Sequence, residues 1–358
     1  MASVFKSFLS SDLVTSKTIL SEQIPISGSL CSASYGTYPN ETNVKNYTHS
    51  FFQKIFDYPY LSSSANSLFD ISVGYSNTSA LSNSSNVQND KKIALYSQMA
   101  QQLYGFDQNG NVNLFDQDGN IILNGTKIQE CYFINFARLL TKDEIKKGSF
   151  SIELGNQAYA TANNTRIVIS DAGAENDFKV NSPVGEYSIL SASSGQTAGS
   201  TNGLAGLLFY QAGVAVLTAS IFASQPTGMI ASDVVMSAPD VSGGGTAIAM
   251  LTGSSITGSA DALRHRIYNI SFNNTTELNS TIYFCRVDPG DFNYSSNPSY
   301  VSGSKIRVKQ NSTDQPQTYI TTVGLYSSNN ELLGVAKLSE PLKKDPSTSL
   351  TLRVRTDW

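Results

Sequence analysis

The run LAGLLFYQAGVAVLTASIF, Leu204–Phe222, constrains the fold more than any other stretch of the chain. It holds no charged residue and nearly reaches the length of a membrane-spanning helix. A spanning helix is rejected on three grounds. Gln211 sits mid-run, glycine and β-branched residues are dense, and no lysine or arginine flanks either end. Gln211-Ala212-Gly213 instead divides the run into two strands that close as a buried hairpin. The surroundings are equally poor in charge: Lys179 is the last cation before Arg264. Only 15% of the whole chain is charged, against roughly 25% in ordinary soluble domains. A surface with few charges is cheap to desolvate, so Val180–Leu263 is the expected contact surface with other subunits.

The 358 residues allow two or three domains. The expected class is β-rich α+β: an N-terminal extended arm (1–47) that docks on a neighbour, a mixed α/β body (48–265) with few short helices, and a C-terminal antiparallel β-sandwich (266–358). In Thr318–Asp357, β-branched and aromatic residues keep a two-residue period, with turn formers at Ser327–Asn330. Leu332–Leu338 and Ser349–Arg355 follow, and the three strands predict a β-meander that buries one side. Tyr319, Val323, Leu325, Tyr326, Leu332 and Val335 are assigned to packing, first as core of that module and then as assembly contacts. Ile267–Phe272 and Thr281–Val287 are expected to pair across the Asn/Thr segment between them. In the body, Phe51, Phe52, Ile55 and Phe56 predict a helix over Thr48–Tyr58, stopped by Pro59. A second helix, Lys91–Tyr104, is capped by Asn89-Asp90 and ended by Gly105; Ile93, Tyr96, Met99, Ala100 and Leu103 form its apolar stripe, with Lys91 and Lys92 facing away. Glu130–Leu140, Ser149–Leu154 and Arg166–Asp171 read as strands, Thr141 with Glu144 as a capping box, and Ser259–Arg266 as a helical turn. Ala231–Met236 and Thr246–Leu251 fit either helix or strand.

Chemistry-bearing motifs are scarce. The net charge of -4 and a pI of 5.3 leave no nucleic-acid footprint. Cys31, Cys131 and Cys285 are an odd set without CxxC spacing, expected reduced and buried in a chain made in a cytoplasm. The N-terminus lacks the apolar core of a signal peptide, so sequons such as Asn46, Asn124 and Asn279 are read as chance products of composition. Asp107–Asn111 and Asp116–Asn120 have oxygen-rich spacing that suits calcium, but the glycine comes too early and no distal Glu follows; hairpin turns are the stronger reading. Asp143 and Glu144 lie among lysines and read as a solvated turn. Ser242–Thr246 is glycine-rich without a phosphate-loop lysine. His49 and His265 are the only histidines, and no GxSxG, HExxH or Walker lysine occurs. No catalytic, cofactor-binding or metal-ligating residue is assigned, and no enzyme activity is expected. Paired carboxylates of a glycan depolymerase are the enzyme alternative.

Several long strings carry a family resemblance. These are YITTVGLYSSNNELLGVAKLSEPLKK (319–344) with LRVR (352–355), IYNISFNNTTELNSTIYFCRV (267–287), DKKIALYSQMAQQLYGFD (90–107), residues 115–155 and residues 4–29. The chain resembles virion structural proteins of contractile-tailed phages of marine cyanobacteria, and its C-terminal segment is similar to those of phage tail-fibre and baseplate-attachment proteins. The resemblance implies a non-enzymatic virion component, assembled in the host cytoplasm, that connects or positions tail fibres as a trimer or hexamer among other tail, baseplate or fibre subunits. Alternatives are a neck, collar or head-decoration protein and, in another class, a receptor-binding or glycan-cleaving adhesin.

Overall fold

The structure is a computed structural model that describes residues 5–26, 44–57, 66–121, 125–155, 166–194, 203–223, 246–264, 266–295, 297–303, 305–307, 311 and 313–357. The strands are β1 (Leu13–Ile26), β2 (Val44–Thr48), β3 (Gln53–Asp57), β4 (Asn66–Tyr75), β5 (Glu130–Phe136), β6 (Glu144–Ile145), β7 (Ser151–Gly155), β8 (Arg166–Ser170), β9 (Lys179–Ser182), β10 (Gly185–Ser194), β11 (Leu204–Phe209), β12 (Val214–Thr218), β13 (Ile267–Val287), β14 (Val301–Ser302), β15 (Lys305–Ile306), β16 (Thr318–Tyr326), β17 (Leu332–Lys344) and β18 (Leu350–Asp357). The helices are α1 (Asn89–Tyr104), α2 (Arg138–Thr141), α3 (Ala247–Gly253) and α4 (Ile256–Arg264). The fold is β-rich α+β with large antiparallel sheets, as expected from the sequence. Two compact units form, Leu20–Thr276 and Met1–Ile19 with Glu277–Trp358. Both divisions fall inside strands, β1 and β13, rather than at 47/48 and 265/266.

The first unit is built on the uncharged run. β11 and β12 pair antiparallel from Gly206↔Leu217 to Phe209↔Val214, and β12 continues onto β5. The order across the sheet is β13-β7-β8-β10-β11-β12-β5-β4-β3-β2. All five residues of β12 are buried because both faces of the sheet are covered. On one face Ile71, Ile134, Leu208 and Ala215 meet Met250, Leu251, Ala260 and Leu263 of α3 and α4. On the other, Phe133, Leu207, Phe209 and Val216 meet Tyr96, Ala100 and Leu103 of α1. In β10–β12 and the turn after them the low charge therefore serves the chain's own core: Tyr187, Leu207–Tyr210, Ala215–Leu217, Ile221 and Phe222 are buried internally, which corrects their assignment to a contact surface, while Val180 and Ile248 are exposed. Residues 195–202 and 224–245, including Ala231–Met236 and Ser242–Gly245, lie outside the described residues.

Gly74 shows how closely α1 sits on β4. A Cβ there would lie 2.6 Å from the Lys92 carbonyl oxygen and 3.0 Å from the Tyr96 nitrogen. Only hydrogen fits at that crossing.

Four local expectations are corrected. The Phe-rich Thr48–Tyr58 segment is not a helix: Thr48 ends β2, 49–52 turn, and Gln53–Asp57 is strand β3, held between β2 and β4, with Gln53 and Ile55 buried and Phe52, Lys54 and Phe56 half-buried; Tyr58 lies outside the described residues. Ladder bonds on both sides outweigh a helical spacing only two turns long. Ile267–Val287 is one strand, not a hairpin. Its Asn/Thr middle lacks glycine and proline and finds partners while extended: Asn274 Nδ2 donates to Leu140 O at 2.9 Å and Lys146 N donates to Asn273 O at 2.7 Å. Thr141 ends α2 instead of capping a following turn, and Glu144–Ile145 is β6, with Ile145 fully buried. The N-cap of α1 is Gln88, in a left-handed conformation, while Asn89 lies buried in the first turn and accepts from Tyr75 Oη at 2.9 Å.

Lys92 does not face solvent; it is fully buried on α1. Its ammonium donates to the carbonyls of Val87, Leu251 and Ser254 at 2.7, 2.6 and 2.7 Å, tying the start of α1 to the end of α3. Three acceptors match the three protons of an ammonium. Burial still pulls its pKa down from 10.5 to about 8. Between those values the unfolded chain binds a proton that the folded chain has shed, so stability rises with pH from about 8 to about 10.5. We expect a rise on the order of 3 kcal/mol across that window. Denaturant curves at both ends of it, compared with those of Lys92→Met, check this; the variant lacks the increment, and equal pH responses refute it.

Candidate assembly surface

The second unit holds the six residues assigned to packing. β16 and β17 form a two-stranded hairpin from Thr318↔Lys344 to Tyr326↔Leu332. β18 does not extend it; β18 pairs with β13, from Ser280↔Asp357 to Val287↔Leu350, so the expected three-stranded meander is corrected. Leu350, Leu352 and Val354 sit on one half-buried face, but the pairing partner lies far away in sequence.

The hairpin also corrects the core assignment. Leu325 is buried and Val323 half-buried, whereas Tyr319, Tyr326, Leu332 and Val335 are exposed, Val335 by 56%. Leu333, not singled out from the sequence, is 71% exposed. Alternation is real in both strands, but the sheet is one layer thick here and only one face is turned inward. On the outer face Tyr326 and Leu332 close over Gly324: a Cβ there would lie 2.8 Å from Tyr326 Cε2 and 3.4 Å from Leu332 Cδ1. The missing side chain at 324 thus lets the ring lie flat across the strand. Phe5 meets the same ring edge-on at 4.9 Å.

The N-terminal segment docks here, on its own chain. Lys6 bridges Asp288 and Asp291, both at 2.5 Å; Asp12 pairs with Arg286 at 2.6 Å and Lys17 with Glu277 at 2.5 Å. Both aspartates raise the Lys6 pKa, while the Leu9 amide and then Arg286 lower that of Asp12. Of residues 5–19 only Asp12 is buried, and Phe5, Phe8, Leu9, Leu13 and Val14 remain exposed.

A groove of about 1260 Å³ runs through this unit. One wall is the consecutive stretch 318–324 of β16; the other is 284–287 of β13 with Phe5–Phe8. No residue of β17 reaches it. Behind it, the fully buried Lys344 fixes the loop that follows β13. Its ammonium donates to Pro289 O, Asn293 Oδ1 and Asp345 O at 3.0, 2.7 and 2.7 Å. Asp345 is held well below the usual carboxylate range by the hydroxyls of Ser347 and Thr348.

The remaining sequence candidates hold structure together. Asp107 accepts from the amides of Asn109 and Asn111 at 2.8 Å, and Asp118 from that of Asn120 at 3.2 Å, as hairpin turns require. Asp116 is buried against Lys127. Asp171 accepts from the Gly148 and Phe150 amides and Tyr210 Oη at 2.8, 3.0 and 2.8 Å; burial raises its pKa. His49 stacks on Phe52 at 4.9 Å, and His265 lies outside the described residues. Cys131 is buried and Cys285 half-buried, both as free thiols; Cys31 lies outside the described residues. Among the described residues no three His, Cys, Asp or Glu side chains gather to hold a metal ion, and no helix is long and apolar enough to cross a membrane. No family model, curated protein or solved structure matches the chain.

Removing the Lys344 ammonium strands three acceptors in a closed site. We expect Lys344→Met to lower the stability of this unit by about 2 kcal/mol although it keeps most of the side-chain volume. Chemical denaturation followed by near-ultraviolet tyrosine dichroism checks this; an unchanged midpoint refutes the role.

Proposed function

We propose that this chain is a non-enzymatic structural component of a phage virion, a tail or baseplate part that connects or positions tail fibres as a trimer or hexamer. The observation that carries the reading is the apolar outer face of the β16–β17 hairpin, where the pair Tyr326–Leu332 and the neighbouring Val335, opposite Gly324, stand exposed, with Leu333 exposed at the register shift between them. A contiguous apolar patch on an isolated hairpin is a contact waiting for a partner. The likeness of residues 319–344 to tail-fibre and baseplate-attachment segments supplies the kind of particle. The mechanism is mechanical: the doubly covered sheet of the first unit acts as a rigid body, and the second unit offers the sticky surface.

Quantitative mass spectrometry of purified particles tests this. A copy number that is a small multiple of three or six fits a tail fitting. A far larger number indicates head decoration, and absence from particles sinks the reading. Leu333→Glu is expected to leave the chain's own stability within about 0.5 kcal/mol while lowering its incorporation into particles; normal incorporation argues against the hairpin as the contact.

A further inference from the structure

We propose that the groove beside β16 is an empty strand position, filled in the assembled particle by one extended segment of a different protein that pairs with the free edge of β16. The inference deepens the assembly reading and rests on it.

Consecutive residues 318–324 line the groove, so side chains from both faces of β16 reach it. A groove over one face would meet only alternate residues. The groove therefore runs along the backbone edge. Among the described residues β16 pairs with no strand except β17, so that edge offers unpaired N–H and C=O groups.

The two edges of the hairpin differ in kind. β17 carries Lys337, Glu340, Pro341 and Lys343, which discourage further pairing. β16, TYITTVGLY, carries no charge and no proline. It is the edge left open to addition.

Size agrees with a single strand. Residues 318–324 of β16 line the groove; seven residues extend about 23 Å, and a strand takes about 4.8 Å between neighbours and about 10 Å between layers. That is on the order of 1100 Å³, against the 1260 Å³ of the groove. The far wall is 284–287 with Phe5–Phe8, and Phe5 closes onto Tyr326 at the end of β16. A second copy's hairpin would bring its β17 along and meet that wall. The charged groups at the groove are already paired within the chain, Lys6 with Asp288 and Asp291, and Asp12 with Arg286. The incoming segment is thus uncharged, with β-branched or apolar residues at alternate positions.

The test uses the purified full chain and an acetylated, amidated peptide of nine alternating threonines and valines with one lysine at each end. Hydrogen exchange is expected to show new protection confined to 318–326. The same peptide N-methylated at alternate residues is expected to bind about tenfold more weakly or worse. Thr321→Glu, an exposed substitution on β16, should weaken binding about tenfold without changing the peptide-free melting temperature. Protection elsewhere, equal binding of the methylated peptide, or protection of 318–326 by self-association without peptide would overturn the proposal. Particle composition does not enter this measurement, so it fails independently of the virion reading.

Discussion

Burial of an uncharged hairpin on both faces is the constraint from which the first unit follows. β11, β12 and β5 offer apolar side chains to either side, so a sheet covered on one side only would expose half of them. Helix α1 covers one face and α3 with α4 the other. That requirement explains details distant from the hairpin. Gly74 exists because α1 must approach β4 to within backbone contact. Lys92 is buried because α1 and α3 meet where three carbonyls lack partners, and an ammonium satisfies all three. The cost of desolvating one charge is set against three stranded acceptors.

Polar residues hold the margins of that core. Asp261 pairs with Arg264 on α4 and also accepts from Gln53 of β3, joining two elements far apart in sequence. Asp171 gathers two amides and a tyrosine hydroxyl. Asp171 thus lies in a closed hydrogen-bond set that uses both of its oxygens, which is how a carboxylate survives burial. Burial raises the Asp171 pKa against the lowering effect of these three donors.

The sequence was most legible where local pattern and tertiary context agree. The Gln211-Ala212-Gly213 break gave the β11–β12 hairpin, the 3.6-residue stripe gave α1, and Asp-Gly and Asn-Gly pairs gave turns. It misled where pattern leaves the partner open. Alternation in 318–357 predicts strands, but it does not say whether the inward face meets a second layer, nor that β18 chooses β13 over β17. The same blindness inverted two assignments. Low charge marked Val180–Leu263 as surface although its described strands β11 and β12 are core, and alternation marked Tyr319, Tyr326, Leu332 and Val335 as core although they are exposed. Both follow from one cause: desolvation makes the same demands on residues whether a chain buries them in itself or against another. Lys344 and Lys92 left no signal, because a buried lysine is defined by carbonyls supplied from elsewhere in the chain.

The second unit obeys a different economy from the first. Its N-terminal segment is fastened by ion pairs, Lys6 to two aspartates and Asp12 to Arg286, and by Phe5 and Phe8 against Tyr326 and Tyr283, while its phenylalanines and leucines stay partly exposed. Exposed ion pairs contribute little each and weaken with salt. They do, however, fix register and position. A segment placed by charge and left apolar outside is positioned rather than sealed, and the hairpin opposite it is likewise one layer thick. An isolated two-stranded hairpin is marginal in water, and here it persists with one edge blunted by Lys337, Pro341 and Lys343 and the other left plain. Selection against aggregation acts on every free edge. The two edges of one hairpin are thus unequal: β17 is guarded by charge and proline, and β16 carries neither.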